Sequence, residues 1–277
     1  MIYWAGFNDL IKRALAEDIG HGDMTTGSLV KADMEVSGIF LAKARGVLAG
    51  IEVSQAVFET LDPEVSFMIH KKDGEIIDPG DILARVEGSA ATLLTGERLA
   101  LNFVQRLSGI ATKTRQFVDL IGDSTVRLVD TRKTTPGLRV LEKYAVTIGG
   151  GYNHRFGLYD GVMIKDNHIA VAGGITPAIQ QVRAKVPHTL KIEVEVDTLE
   201  QLKEALTAGA DIILLDNMDL ATLKKAVKMT KGKALLEASG GINEKSIAAV
   251  AKTGVDLISS GALTHSAVSL DISFDIE

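Results

Sequence analysis

The sequence contains no cysteine, few aromatic residues and no long apolar run. Because thiol groups are absent, disulfides, thiolate catalysis and thiolate metal sites are all excluded. No apolar run approaches the ~20 residues that a membrane-spanning helix needs, and the amino-terminal segment lacks the pattern of a secretory signal. The sequence therefore predicts a cytoplasmic protein without a membrane-spanning segment.

Excess positive charge is also missing. The formal net charge is -6 at pH 7, with 46% hydrophobic and 24% charged residues, which is the composition of an ordinary globular protein. A general nucleic-acid or membrane-surface binder needs a net basic footprint, so both classes are excluded. At 277 residues the chain is long enough for a barrel and a small second domain.

The first part of the chain has the pattern of an antiparallel sheet with helices. Helical spacing of apolar residues over 7–17 predicts an opening helix, and the string EDIGHGDMTT predicts a loop after it. Residues 36–86 show short alternating strands around one helix, and residues 93–121 show a long helical pattern. We predict an N-terminal α/β sandwich domain over residues 1–110.

The rest of the chain repeats strand and helix units. Six apolar runs, most of them followed by a helical segment, predict a parallel β/α barrel over residues 111–265, so the fold class is α/β. An open doubly wound sheet is the structural alternative. The segment 266–277 is a candidate to return to the first domain.

Each of the six apolar runs ends in a polar residue or glycine. In a parallel barrel the carboxyl ends of the strands form the rim that carries the active site. We therefore expect these ends to converge on one mouth. They are Asp130, Lys165, Glu195, Asp216, Ser239 and Gly261.

A local excess of basic residues lies between residues 127 and 168. Seven Lys or Arg residues stand against four acids, a local charge of +3 within a chain of -6. Charge runs are usually solvated helix faces. However, Arg132, Arg155 and Lys165 flank strand ends beside glycine-rich segments, where guanidinium groups can bind carboxylate or phosphate in a fork. The pattern predicts a site for a small polyanion.

Acidic residues supply a second cluster. The period of two in LKIEVEVD predicts that Glu193 and Glu195 face the barrel interior, with Glu195 nearer the rim. For Glu193, an internal ion pair, with Lys191 as one candidate partner, is the structural alternative. Glu195 and Asp216 could hold Mg²⁺ directly or through water, or stabilise positive charge on a sugar ring. Zinc is not expected, because the six histidines include no closely spaced ligand pair.

Two glycine-rich turns follow the last two predicted strands. Ser239, Gly240 and Gly241 precede a predicted helix, and Gly261 repeats the arrangement. Free backbone amides at a helix N-terminus favour phosphate. Ordinary strand-to-helix turns are the alternative, but two successive turns favour a phosphate site.

Several strings in one order resemble the quinolinate phosphoribosyltransferase family, over nearly the whole chain. The strings are EDIGHGDMTT, ERLALNFVQRLSGIAT, DTRKTTPGLRVLEKYAV, GGGYNHRFGL, IKDNH, EVEVD, LLDN, EASGGI and GALTHSAVSLDIS. One departure is Thr147, which stands where many members have a basic residue. The resemblance implies an incomplete barrel beside a smaller α/β domain, in a homodimer or a hexamer. It also implies transfer of phosphoribosyl from phosphoribosyl pyrophosphate to quinolinate, with decarboxylation, in de novo NAD biosynthesis.

The resemblance also implies roles for individual residues. Arg98 would reach across the subunit interface into the partner's site. Glu195 and Asp216 would lie near the ribose and Mg²⁺, and with Lys133 and Lys165 they form the expected catalytic set. The expected quinolinate pocket comprises Arg132, Lys133, His154, Arg155 and Lys165. The expected phosphate side comprises Ser239, Gly240, Gly261 and His265.

Three other functions compete with this interpretation. A paralogue associated with molybdate transport has much of the same site but another substrate. A phosphate-binding barrel lyase would use Lys165 as a Schiff-base amine. A non-catalytic binding protein is disfavoured, because buried charges that converge on a barrel rim are costly to keep without use.

Overall fold

A computed structural model describes residues 6–277, so the first five residues of the predicted N-terminal domain lie outside the described residues. The chain forms two compact units. Unit 1 comprises residues up to Arg115 together with Thr135–Gly150 and Ser266–Glu277, and unit 2 comprises Gln116–Thr134 and Gly151–His265. Thr135–Gly150 was predicted from the sequence to lie in the barrel domain, but it groups with unit 1.

The helices of unit 1 begin with a short pair. The helix α1 runs over Phe7–Ile19 and α2 over Met24–Leu29, so the loop predicted for EDIGHGDMTT is wrong at both of its ends. Asp23 explains the start of α2, because its side chain accepts the backbone N–H of Thr26 at 2.9 Å. The later helices of this unit are α3 (Ile51–Leu61), α4 (Ala90–Ile121, whose last turns belong to unit 2) and α5 (Arg139–Ile148).

Unit 1 is built on an antiparallel sheet of four strands. Its order is β12-β1-β5-β3, so the last strand of the chain pairs with the first. Phe40, Phe58 and Phe274 pack on one another, with ring centroids 5.0–6.2 Å apart. The strands are β1 (Glu35–Ala42), β3 (Ser66–Ile69), β5 (Ile82–Ser89) and β12 (Ile272–Ile276), with β2 (Gly46–Val47) and β4 (Ile76–Ile77) as a separate pair.

Unit 2 contains a parallel sheet of six strands in the order β6-β11-β10-β9-β8-β7. All six apolar runs of the sequence form its strands. These are β6 (Arg127–Val129), β7 (Val162–Ile164), β8 (Ile192–Val196), β9 (Ile212–Asp216), β10 (Leu235–Ser239) and β11 (Leu257–Ser259). The first strand lies beside the last, as in a barrel. Within the described residues no ladder joins β6 to β7, so the barrel is incomplete and the predicted α/β class is confirmed.

The helices of unit 2 alternate with these strands. They are α6 (Asp166–Ala172), α7 (Ile175–Arg183), α8 (Leu199–Ala208), α9 (Leu220–Thr230), α10 (Ile247–Ala251) and α11 (Ala262–His265). Strand β8 shows why the sheet forms here. Its Ile192, Val194 and Val196 are buried on one face, which leaves the two glutamates on the other. Among the described helices of both units, none is long and apolar enough to cross a membrane.

Candidate active site

The carboxyl ends of the strands in unit 2 surround a cavity of about 680 Å³. Most residues predicted for the site line it, and the exceptions are Arg98 and the rim residue Asp130. Arg98 lies on α4 in unit 1, with an exposed side chain whose Nη2 is 3.8 Å from Oε1 of Glu97. The predicted residues that line the cavity are Arg132, Lys133, His154, Arg155, Lys165, Glu195, Asp216, Ser239, Gly240, Gly261 and His265.

The rim predicted from the strand ends is correct at five of the six positions. Lys165, Glu195, Asp216, Ser239 and Gly261 line the cavity. The sixth residue, Asp130, follows β6 but is fully buried, and its Oδ1 accepts the backbone N–H of His154 at 2.8 Å. Asp130 therefore supports the wall of the cavity from behind.

Several basic side chains line the cavity. Lys165 forms a hydrogen-bonded ion pair with Glu195. The Arg155 guanidinium donates to the carbonyl of Gly161 at 3.1 Å, and its pKa is lowered by burial and then by the nearby positive charge of Arg132. Two neighbouring guanidinium groups repel each other, so this arrangement is stabilised when an anion binds between them.

The main chain at Lys133 is fixed by the last helix of the unit. The hydroxyl of Thr264, on α11, donates to the carbonyl of Lys133 at 2.8 Å. A Cβ added at Gly261 would lie 2.8 Å from Cδ of Lys133 and 3.0 Å from Cδ2 of His265. Any larger residue at 261 would therefore displace the side chains of Lys133 and His265.

The other glycine turn makes a closer contact. Gly240 has a φ of 96°, and a Cβ added there would lie 2.1 Å from Oδ1 of Asn217. The helix predicted directly after this turn begins later, since α10 starts at Ile247. The loop between Gly241 and Ile247 thus separates the glycines from the helix N-terminus, whereas α11 follows Gly261 directly.

Asn217 is a cavity residue that was not singled out from the sequence. It adopts a left-handed backbone conformation with φ of 53°, which is uncommon outside glycine. Its side-chain N–H donates to Oδ2 of Asp216 at 2.7 Å, and its backbone N–H donates to the carbonyl of Ser239 at 3.0 Å. Asn217 therefore fixes the Asp216 carboxylate at the end of β9. The string LLDN carries the signal, because asparagine tolerates this conformation best.

A second missed residue lies deeper in the barrel. Glu237, on β10, lies beside His154 and Glu193: Nε2 of His154 is 3.0 Å from Oε2 of Glu193 and 3.6 Å from Oε2 of Glu237. Both glutamates are almost fully buried. The close partner of Glu193 is thus the His154 imidazole, while Lys191, the candidate partner in the alternative of an internal ion pair, is exposed ahead of β8.

The two buried glutamates differ from a simple ion pair. Burial first, and then the negative charge of Glu193, raises the pKa of Glu237 to about 7, against an opposing effect of His154. Two carboxylates this close in a buried place cannot both carry full charge at low cost. The ligand atoms of His154, Glu193 and Glu237 lie within 4.8 Å of one another, so the absence of closely spaced histidines was an insufficient argument against a metal-capable group.

The acidic pair predicted for Mg²⁺ lies at the rim. Glu195 and Asp216 end the neighbouring strands β8 and β9, and both line the cavity. Carboxylate oxygens suit Mg²⁺, which prefers hard oxygen ligands together with substrate phosphates and water. Because Lys165 already compensates Glu195, Asp216 carries the less compensated charge of the two, and the donor set fits an ion that is shared with a phosphate ligand.

Comparison with known proteins finds relatives that match nearly the whole chain. Models of the N-terminal and C-terminal domains of quinolinate phosphoribosyl transferase match residues 23–108 and 110–275. A probable nicotinate-nucleotide pyrophosphorylase (carboxylating) of Bacillus subtilis is 50% identical over 96% of this chain and 92% of its own. A quinolinate phosphoribosyltransferase (decarboxylating) of Nicotiana tabacum is 40% identical over 97% of this chain and 82% of its own.

The solved structures agree with these relatives. The crystal structure of NadC from Streptococcus pyogenes is 44% identical, with a TM-score of 0.96 over 100% of this chain and 99% of its own. The sequence identity, the two matched domain models and the fold therefore all indicate the same family. This chain belongs to the quinolinate phosphoribosyltransferase family.

Proposed function

We propose that this protein transfers the phosphoribosyl group of phosphoribosyl pyrophosphate to quinolinate with decarboxylation. The products are nicotinate mononucleotide, pyrophosphate and CO2, in de novo NAD biosynthesis. The names of the relatives support this reaction. The observation that carries it is the cavity itself, whose lining brings basic side chains, carboxylates and two glycine turns together.

The basic side chains of the cavity suit quinolinate. Quinolinate carries two carboxylates, and each charge-assisted hydrogen bond to such a group contributes roughly 1.5–3 kcal/mol. Arg132, Lys133, Arg155 and Lys165 all face one cavity, and His154 lines it as well. They would hold both carboxylates and direct the ring nitrogen toward the anomeric carbon of the sugar.

The glycine turns and the carboxylates suit phosphoribosyl pyrophosphate. Its phosphates would lie at the turns of Ser239, Gly240 and Gly261, with His265 beside them, because all four residues line the cavity. Glu195 and Asp216 would bind Mg²⁺ directly or through water. The ion supplies neutralisation of the departing pyrophosphate.

The reaction then follows from where charge develops. The ring nitrogen of quinolinate attacks the anomeric carbon while the bond to pyrophosphate breaks, which leaves positive charge on the ribose ring. Glu195 and Asp216 lie at adjacent strand ends and would stabilise that charge, as carboxylates do in other glycosyl transfers. Loss of CO2 from the 2-carboxylate leaves its electron pair on C2 of the ring, beside the now positively charged ring nitrogen, and C2 takes up a proton from solvent to give nicotinate mononucleotide.

The homodimer, or hexamer, is also a proposal, and so is the cytoplasmic location. Arg98 supports an assembly, because it lies outside the cavity lining and its side chain is exposed in unit 1. In an assembly it would complete a partner's site. Mixing Arg98→Ala subunits with subunits inactivated at Lys165 tests this: if Arg98 acts across the interface, mixed dimers recover activity that neither variant has alone.

A Schiff-base lyase is not favoured by the geometry. A Schiff-base lysine works as a free amine, usually in a desolvated pocket. The Lys165 side chain is 45% exposed and is paired with Glu195. The paralogue with a different substrate is separated by assay alone.

Release of pyrophosphate tests the proposed reaction. The purified protein with Mg²⁺ and phosphoribosyl pyrophosphate is expected to release pyrophosphate when quinolinate is added, and not when nicotinate replaces it. Release with neither acid would contradict the proposal, and turnover of nicotinate alone would show a different acceptor.

A further inference from the structure

The segment of His154 and Arg155 has to be positioned without a strand. It lies between Tyr152, which makes one isolated bridge to Val129, and β7, and it has no regular secondary structure. Both side chains line the cavity. A segment without a hydrogen-bond ladder is placed by side chains that bind its polar groups.

Buried acids on two elements bind this segment. Asp130, directly after β6, accepts the backbone N–H of His154 at 2.8 Å. Glu193, in the middle of β8, lies 3.0 Å from Nε2 of the same residue. Asp130 is 0% exposed and Glu193 is 3% exposed, so both acceptors are shielded from water and held by the sheet. His154 is thus held at its backbone N–H by Asp130 and at its ring by Glu193.

The second ring nitrogen passes this constraint on. Nδ1 of His154 accepts the backbone N–H of Arg155 at 2.7 Å. A nitrogen that accepts a hydrogen bond carries no proton, so the network assigns the tautomer with hydrogen on Nε2, which donates to Glu193. The result is a continuous chain from the Glu193 carboxylate through the imidazole to the Arg155 main chain.

We propose that Glu193 and Asp130 are positioning residues that hold His154 and, through its Nδ1, set the main chain from which the Arg155 guanidinium enters the cavity. His154 then acts as a bridge between the sheet and Arg155, in addition to lining the cavity. The proposal rests on the proposed function only in that Arg155 faces quinolinate. The predicted placement of His154 in the quinolinate pocket is thereby given a physical cause.

Two substitutions of Glu193 test the role. Glu193→Leu removes the acceptor and is expected to raise KM for quinolinate by about tenfold or more, since small misplacements of a binding group cost up to ~100-fold. KM for phosphoribosyl pyrophosphate is expected to stay within about twofold, because the hydrogen bonds from Glu193 through His154 to Arg155 do not involve the two glycine turns. Glu193→Gln keeps an acceptor oxygen and recovers most of the affinity for quinolinate. Equal rises in both KM values for both variants would overturn the proposal.

Asp130 has a more exposed control in the same sheet. Asp256 accepts the backbone N–H of Leu236 at 2.8 Å, near the amino end of β10, and it does not line the cavity. Asp130→Leu and Asp256→Leu each remove a carboxylate from a backbone N–H and are expected to lower Tm. Only Asp130→Leu is expected to raise KM for quinolinate. If both leave KM unchanged at similar loss of Tm, Asp130 is merely structural and the proposal is wrong.

A measurement without substrate decides the hydrogen-bond chain itself. In ¹⁵N NMR of histidine-labelled protein, the His154 signal, assigned by its loss in His154→Gln, is expected to show hydrogen on Nε2 and a bare Nδ1. Hydrogen on Nδ1 would refute the proposal. This readout holds even where Glu193→Leu fails to fold. A wild-type protein that shows this tautomer but releases no pyrophosphate with quinolinate would refute the proposed function instead.

Discussion

The two units differ in how the negative charge of their buried glutamates is compensated. In unit 1, Glu142 on α5 is fully buried. Its carboxylate accepts hydrogen bonds from Nη2 of Arg106 at 2.8 Å and from the backbone N–H of Thr135 at 3.1 Å. In unit 2, Glu193 and Glu237 are equally buried, yet the near partner that they share is one imidazole. A compensated acid holds a structure together, whereas a cluster with excess negative charge is expected at a functional site.

The largest expected effect comes from breaking the compensated pair. Glu142→Leu leaves Arg106 without its carboxylate, and loss of one partner of a buried ion pair costs about 3–5 kcal/mol in the free energy of unfolding. Urea unfolding measures it. The control is Arg183→Met, which breaks the more exposed pair with Asp211 (3.1 Å) and should cost at most about 1 kcal/mol. Similar losses for both variants would contradict the contrast drawn here.

A smaller effect is expected where the glycine turn meets Asn217. Gly240→Ala is expected to lower the free energy of unfolding by about 1–2 kcal/mol for the left-handed backbone alone, and by more because its Cβ meets Oδ1 of Asn217. KM for phosphoribosyl pyrophosphate should also rise. Gly209→Ala, with φ of 81° and open space around its Cβ, is the matched control. If the two variants behave alike, the contact with Asn217 is unimportant.

The smallest effect sharpens the comparison at Glu237. Burial raises its pKa to about 7 in the folded protein, well above the ordinary value of a glutamate, so the folded state keeps a proton that the unfolded state releases at lower pH. Stability from this group is therefore present at low pH and is lost as pH rises toward 7. Glu237→Gln should be more stable than the wild type at pH 8, by on the order of 1 kcal/mol, with little gain at pH 5. The exposed Glu200→Gln should show no such pH dependence, and a gain that grows toward pH 5 would reverse the assignment.

Much of the site follows from the pattern of strand ends. Lys165, Glu195, Asp216 and Ser239 each end an apolar run, and a parallel barrel brings such ends together whatever their separation in sequence. The resemblance to a family added Arg98 and His265, which periodicity alone does not distinguish. The strand-end residues could be found because their convergence depends on local pattern and on one rule of topology, whereas the roles taken from the resemblance stay predictions.

The missed features depend on contacts of two kinds, distant and local. Glu237 lies in an otherwise ordinary strand, LLEAS, and its meaning comes from His154 and Glu193 on other elements. The helix α2 was missed because the glycines before it predict a loop, while one capping carboxylate, that of Asp23, is enough to start the helix. The role of Glu237 needs the folded arrangement, whereas the start of α2 depends on the local contact between Asp23 and Thr26, which the loop prediction overlooked.

Release of labelled CO2 tests the central claim, that one cavity binds both anions and joins them. Quinolinate labelled in its 2-carboxylate is mixed with phosphoribosyl pyrophosphate, Mg²⁺ and the protein, and labelled CO2 and pyrophosphate are counted together. The proposed function predicts that the two products appear in equal amounts and only when both substrates are present. Pyrophosphate without labelled CO2, or labelled CO2 without phosphoribosyl pyrophosphate, would contradict it.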